Sequence, residues 1–176
     1  MNIRDRVRQL VYVPASELIP NPKNWRTHPE PQRKALTGIL EDVGYADALL
    51  ARKLPDGSLM LIDGHLRAEV SPEEEVPVLI LDLNEEESDK LLAILDPLAG
   101  MAHSNATAFE ALLHQTQTSN ESVADMLTQL AEKIGVIDAD KTFVLPPNAG
   151  GTEYDESVEE DVDYCTCPNC GHEFAA

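Results

Sequence analysis

The sequence predicts a small mixed α/β domain that carries a helical appendage and an acidic tail. Three observations lead there. Short aliphatic and β-branched runs alternate with segments of helical apolar spacing as far as residue 101. Proline- and glycine-rich breaks separate these segments. From Asp138 onward the composition turns acidic and loses its apolar periodicity. At 176 residues and 43% apolar content, the chain has material for one core plus extensions, or for two very small domains.

LVYVPASELIP (10–20) begins as an extended run in which Val11 and Val13 flank Tyr12, and Pro14 ends the pairing. PNPKNWRTHPEP (20–31) holds four prolines and two asparagines and reads as an irregular loop. It presents Lys23, Trp25, Arg26 and His28 on backbone that builds no core. Pro31 suits the first turn of a helix, in which Leu36, Ile39, Leu40 and Val43 share a face and Gly44 is the stop.

ALLARKL (48–54) and SLMLID (58–63) read as strands of a hairpin around Pro55-Asp56-Gly57. GHLRAEV (64–70) opens a short helix that Ser71-Pro72 ends, and EEVPVLILDL (74–83) reads as a buried strand. Asn84 caps a helix with Glu85, Glu86 and Glu87 in its first turn and Leu91, Leu92 and Leu95 on its apolar face; Pro97 should stop or kink it. Segments 106–115 and 122–136 are amphipathic helices. The resulting divisions are a core over 1–101, a helical appendage over 102–137, an acidic linker over 138–163 and a cysteine-bearing tail over 164–176.

Charge is unevenly distributed. Residues 1–70 carry ten Lys/Arg against nine Asp/Glu, a net +1, whereas residues 71–176 carry three against 23, a net −20. The second part repels polyanions, so direct DNA binding is expected to be weak or absent, or to come from the first part or through a partner. No apolar run approaches the length of a membrane span, and the N-terminus lacks a secretory h-region, so a cytoplasmic setting is expected. Three cysteines confined to 165–170 do not make a disulfide framework.

Asp63-Gly64-His65-Leu66-Arg67 is the most informative stretch. It falls where a strand meets a helix, and a glycine there allows a tight turn and close approach of a ligand. First-turn N–H groups of Gly64, His65 and Leu66 would face an anion, and Arg67 would add a forked contact. His65 is suited to donating or shuttling a proton, and Asp63 to orienting it, holding a metal or acting as a base. The plainer alternative is a structural junction in which Arg67 pairs with Glu69 or a distant carboxylate. Asn24 and Arg26, on the proline-rich loop, would close over the same ligand; there too the alternative is a surface loop pinned to the core by Trp25.

Taken in order, LxPNPKNWRTH, a helix ending at Gly44, a hairpin, IDGHLRAE, EVPVLILDL and a Glu-rich helix resemble the N-terminal domain of the ParB/sulfiredoxin superfamily over about residues 11–101. The resemblance matches Asn24 and Arg26 to an Asn-x-Arg box and Gly64 and Arg67 to a Gly-x-x-Arg phosphate box. LLAILDPLAGMA is similar to the segment that follows in ParB-like domains found beside DNA methyltransferases.

The resemblance implies a nucleoside triphosphate with Mg²⁺ as ligand, and an accessory role in DNA modification, segregation or mobile-element transactions. A methyltransferase or a phage packaging enzyme would be the protein partner. Several departures narrow this. His65 stands where sulfiredoxins need a cysteine, which excludes their chemistry. The helices after residue 105 carry one Lys and no Arg as far as residue 137, unlike a DNA-reading helix-turn-helix. The Gly-His-x-Arg form of the box resembles ParB-like serine kinases, so a small-molecule kinase or nucleotide hydrolase using Asp63 or His65 is the second reading. A non-catalytic interaction adaptor is the third.

The tail YCTCPNCGHEF has the form of half a zinc ribbon. Cys165, Cys167, Cys170 and His172 close a Zn²⁺ site alone, or a second copy or a partner completes it, or the thiols stay free. A homodimer suits both the half ribbon and the appendage.

Overall fold

A computed structural model describes residues 3–136, together with the backbone of two short strands in the tail. The chain divides into two compact units, residues 1–143 and 144–176.

The first unit is built on a five-stranded mixed sheet. Its strands are β1 (Val7–Pro14), β2 (Leu18–Ile19), β3 (Leu49–Lys53), β4 (Leu59–Asp63) and β5 (Glu75–Leu81), in spatial order β1-β5-β3-β4-β2. The expected hairpin is present: β3 and β4 pair antiparallel, with Ala51 opposite Leu61. Gly57 turns it at φ +93°, and the Leu54 N–H donates to the Ser58 carbonyl at 2.8 Å. β5 lies between β1, antiparallel, and β3, parallel. Alternation places Leu49, Ala51, Leu61, Val76 and Val78 in one core with Ala15 and Leu18, while Val11 and Val13 pack on its margin.

β5 departs from the expected fully buried strand. Val76 and Val78 are sealed, but Pro77, Leu79 and Ile80 are half-buried, so only one face of the sheet is closely covered here. β1 also begins earlier than LVYVP. Arg6 and Arg8 hold it against the strand and helix that follow: Arg6 donates to both Glu87 oxygens at 2.8 and 2.7 Å, and Arg8 pairs with Asp82. The Arg6 guanidinium, with the Asn84 N–H, brings the Glu87 carboxyl down to about 2.

Among the described residues, five α-helices accompany the sheet: α1 (Glu30–Asp42), α2 (His65–Val70), α3 (Glu85–Gly100), α4 (Ala106–Leu113) and α5 (Glu121–Ile134). Gly44 follows α1 at φ +84°, as the stop signal predicts. Asn84 and Glu87 form a reciprocal capping box on α3. Pro97 does not stop α3, which continues to Gly100. Ala93, whose carbonyl Pro97 leaves without an N–H, is exposed, so water is free to serve it. The appendage packs back on the core: the Asn120 side chain caps α5 and lies against Gly38 of α1, while Thr118 donates to Asp42.

In the second unit, β6 (Tyr164–Thr166) and β7 (Glu173–Ala175) pair antiparallel. No helix among the described residues is long and apolar enough to cross a membrane.

Candidate functional site

Gly64 is the hinge of the site. It turns β4 into α2 at φ +92°, and a Cβ there would lie 2.5 Å from Leu49 Cγ. Both the conformation and the space therefore demand glycine. The helix it opens has only six residues, so its macrodipole is slight. Most of the attraction for an anion must come from side chains rather than from the helix end.

Arg67, one turn in, is largely buried and forks to two carboxylates: Asp63 at 2.9 Å and Asp47 at 2.6 Å. The hydrogen bond it donates, together with its charge, holds the Asp47 carboxyl below the usual range. Asp63 is thus engaged by Arg67, and Glu69, the other candidate for Arg67, pairs with Arg33 instead.

His65 is 7% exposed, and its Nε2 accepts the Asn21 backbone N–H at 3.2 Å. That bond places the ring proton on Nδ1. Burial pushes the imidazole down, against the opposing pull of Asp63 and Glu69. Leu66 is buried, which leaves its backbone N–H as its polar contribution to the turn.

The proline-rich loop is strapped to α3. Lys23 bridges Glu85 at 2.9 Å and Asp89 at 2.7 Å, and Trp25 Nε1 donates to the Leu92 carbonyl at 3.3 Å. Trp25 is nevertheless 58% exposed, so this indole rides on the helix surface rather than in the core. Asn24 Oδ1 accepts the Arg26 N–H at 3.2 Å, which fixes the loop locally and leaves its amide group for other partners. The Arg26 guanidinium stacks 5.0 Å from the Trp25 ring centroid. Its Nε lies 2.7 Å from Asp96 Oδ2 on α3, but the N–H is not aimed at that oxygen, so the buried Nε makes an ion pair without a hydrogen bond.

These groups meet at one cleft of about 230 Å³. Asn24, Arg26, Asp63, Gly64, His65, Leu66 and Arg67 all line it, so the structure brings together every residue expected at the phosphate site. Leu36, Leu91, Leu92 and Leu95 supply an apolar wall, and His28, held to Gln32 at 3.1 Å, closes one side. Asp47, Asp96 and Asn21 belong to this constellation and carried no local sequence signal. Among the described residues, no three His, Cys, Asp or Glu gather closely enough to hold a metal ion. Cys167, Cys170 and His172 lie outside the described residues, and Cys165 is described only as a backbone position in β6.

No family model and no curated protein matches the chain. Solved structures do. The C-terminally truncated chromosome-partitioning protein ParB from Caulobacter crescentus, complexed with CTP-γ-S, aligns at TM-score 0.53 and 21% identity over 70% of this chain and 79% of its own. The chain has a ParB-like fold. The same Caulobacter protein complexed to the centromeric parS site aligns at 0.42 with 18% identity over 71% of this chain and 68% of that one. A pNOB8-like ParB N-domain aligns at 0.39 with 15% identity over 96% and 58%. The ParB-like fold accounts for the order of loop, hairpin, Gly64 turn and capped α3 that frames the cleft.

Proposed function

We propose that the cleft binds the phosphates of a nucleotide, and that the protein serves as an accessory to a DNA transaction through protein contacts. The observation that carries this reading is the convergence of Arg26 and Arg67 on one cleft. They come from a loop and a helix 41 positions apart, and the cleft also offers an apolar wall. Guanidinium groups match phosphate geometry, and leucines suit a sugar or base edge. The Caulobacter ParB of like fold is complexed with a CTP analogue, which supports a nucleotide as the ligand class. Mg²⁺ would arrive on the nucleotide's phosphates rather than wait in a protein cage.

Binding is favoured over turnover by the state of the two candidate bases. Asp63 is committed to Arg67, and the Nε2 of His65 to Asn21, so His65 is read as positioning the loop while its Nδ1–H serves as a donor. Direct DNA contact is read as weak, because α4, α5 and their flanks over 102–136 carry a single Lys, Lys133, and no Arg.

Calorimetric titration of the chain with CTP, ATP and ADP in Mg²⁺, paired with a phosphate-release assay, tests this. Saturable binding without release is expected. Steady release would replace it with the kinase or hydrolase reading, and absence of binding would leave only the adaptor.

A further inference from the structure

We infer that Trp25 is a positioning residue for the cleft: its ring aims the Arg26 guanidinium so that the outer end of the fork meets the ligand's phosphates. The inference rests on the nucleotide reading of the cleft and adds a residue that does not itself line it.

The two arginines of the cleft are held in different ways. Arg67 spends both terminal nitrogens on carboxylates, Nη1 on Asp47 at 2.6 Å and Nη2 on Asp63 at 2.9 Å. A phosphate must win those donors from two aspartates. Arg26 is held instead by a ring face, 5.0 Å from the Trp25 centroid, and by an ion pair from the Nε side to Asp96 at 2.7 Å. Stacking on an aromatic face orients a guanidinium without using any of its N–H groups. The Nη1 and Nη2 end of the fork is then left for a two-pronged contact with a phosphate.

Trp25 is itself fixed. Its Nε1 donates to the Leu92 carbonyl at 3.3 Å, and Leu92 lines the cleft. Lys23, two positions earlier, ties the same loop to Glu85 and Asp89. The ring is thus anchored to α3, the helix that also carries Asp96. Core packing does not account for this indole, because the residue is 58% exposed. Arg26 is partly exposed as well, and a long side chain left to itself samples many rotamers. Holding it in place before the ligand arrives removes that ordering cost from binding.

A double-mutant cycle on the full chain tests this, read by calorimetry with CTP in Mg²⁺ and with tripolyphosphate in Mg²⁺ as a probe that has no base. Trp25→Ala should weaken binding of both about two- to fivefold. Trp25→Phe, which keeps a ring face and loses the Nε1 tether, should recover most of that loss. In the Arg26→Ala background Trp25→Ala should cost nothing further, because the ring has no guanidinium to aim. Trp25 is the only tryptophan in the chain, so tripolyphosphate should also change the emission of the wild type. Equal affinity in the wild type and Trp25→Ala, or an undiminished Trp25→Ala effect in the Arg26→Ala background, would overturn the positioning role and leave the phosphate site standing. Weaker CTP binding in Trp25→Ala with tripolyphosphate unaffected would overturn it in favour of a contact with the base. A wild type that binds neither probe would overturn the nucleotide reading, and this inference with it.

Discussion

The backbone N–H of Asn21 donates to Nε2 of His65 across 44 positions of sequence, and this bond joins the proline-rich loop to the Gly64 turn. It fixes the imidazole as neutral, with its proton on Nδ1, in a place where burial already disfavours the charged form.

A pH dependence of stability follows. The unfolded chain takes a proton on His65 near the ordinary imidazole value of 6.5, whereas the folded chain resists it to lower pH. The unfolded state then binds more protons, so stability falls as pH drops through 6.5 and levels off once the folded form also titrates. Urea midpoints of the wild type and His65→Gln at pH 7.5 and pH 5 check this. The wild type should lose more stability between the two than the variant; equal losses would remove His65 as the source.

Gly64→Ala should destabilise the fold and disrupt the cleft together. The left-handed backbone costs about 1–2 kcal/mol for a residue with a Cβ, and crowding Leu49 adds about 1–3 kcal/mol. Chemical denaturation reads the sum, and a shift under about 1 kcal/mol would mean that the turn relaxes freely.

Gly38→Ala probes the appendage. Its Cβ would fall 2.4 Å from the Asn120 side chain, whose Oδ1 caps α5, so the seat of α5 on α1 must shift. A loss of about 1–3 kcal/mol is expected, together with faster hydrogen exchange at the start of α5. Unchanged exchange there would count against the Asn120 contact.

Asp96 competes with any anion for Arg26. Its ion pair is partly exposed, so it contributes little to stability, but it occupies the guanidinium edge nearest α3. Asp96→Asn should tighten nucleotide binding roughly two- to fivefold, as read by calorimetry. Weaker binding in the variant would show Asp96 acting with the ligand rather than against it.

Much of this was legible from local signals. The turn residues Pro55-Asp56-Gly57, the Asn84 cap and the helix stop at Gly44 each report on their own few neighbours, and the structure places them where those rules require. Asp63 to Arg67 stood out for the same reason. What escaped was long-range. Asp47 and Asp96 are unremarkable in sequence, and only the packing of α2 and α3 brings them to Arg67 and Arg26. The commitment of His65 to Asn21 is a tertiary hydrogen bond with no periodic trace. Pro97 does not stop α3, because its cost depends on whether water reaches the Ala93 carbonyl it frees, and exposure at that point of the helix leaves no trace in the apolar pattern.

The most direct test of the phosphate site is calorimetry with CTP, ATP and ADP in Mg²⁺ on the wild type and Arg67→Ala, with circular dichroism confirming that both are folded. Losing a charge-assisted contact costs about 1.5–3 kcal/mol, or at least about tenfold in affinity. The account predicts binding by the wild type and that loss in the variant. Equal affinity in the two, or a folded wild type that binds none of the three nucleotides, would contradict it.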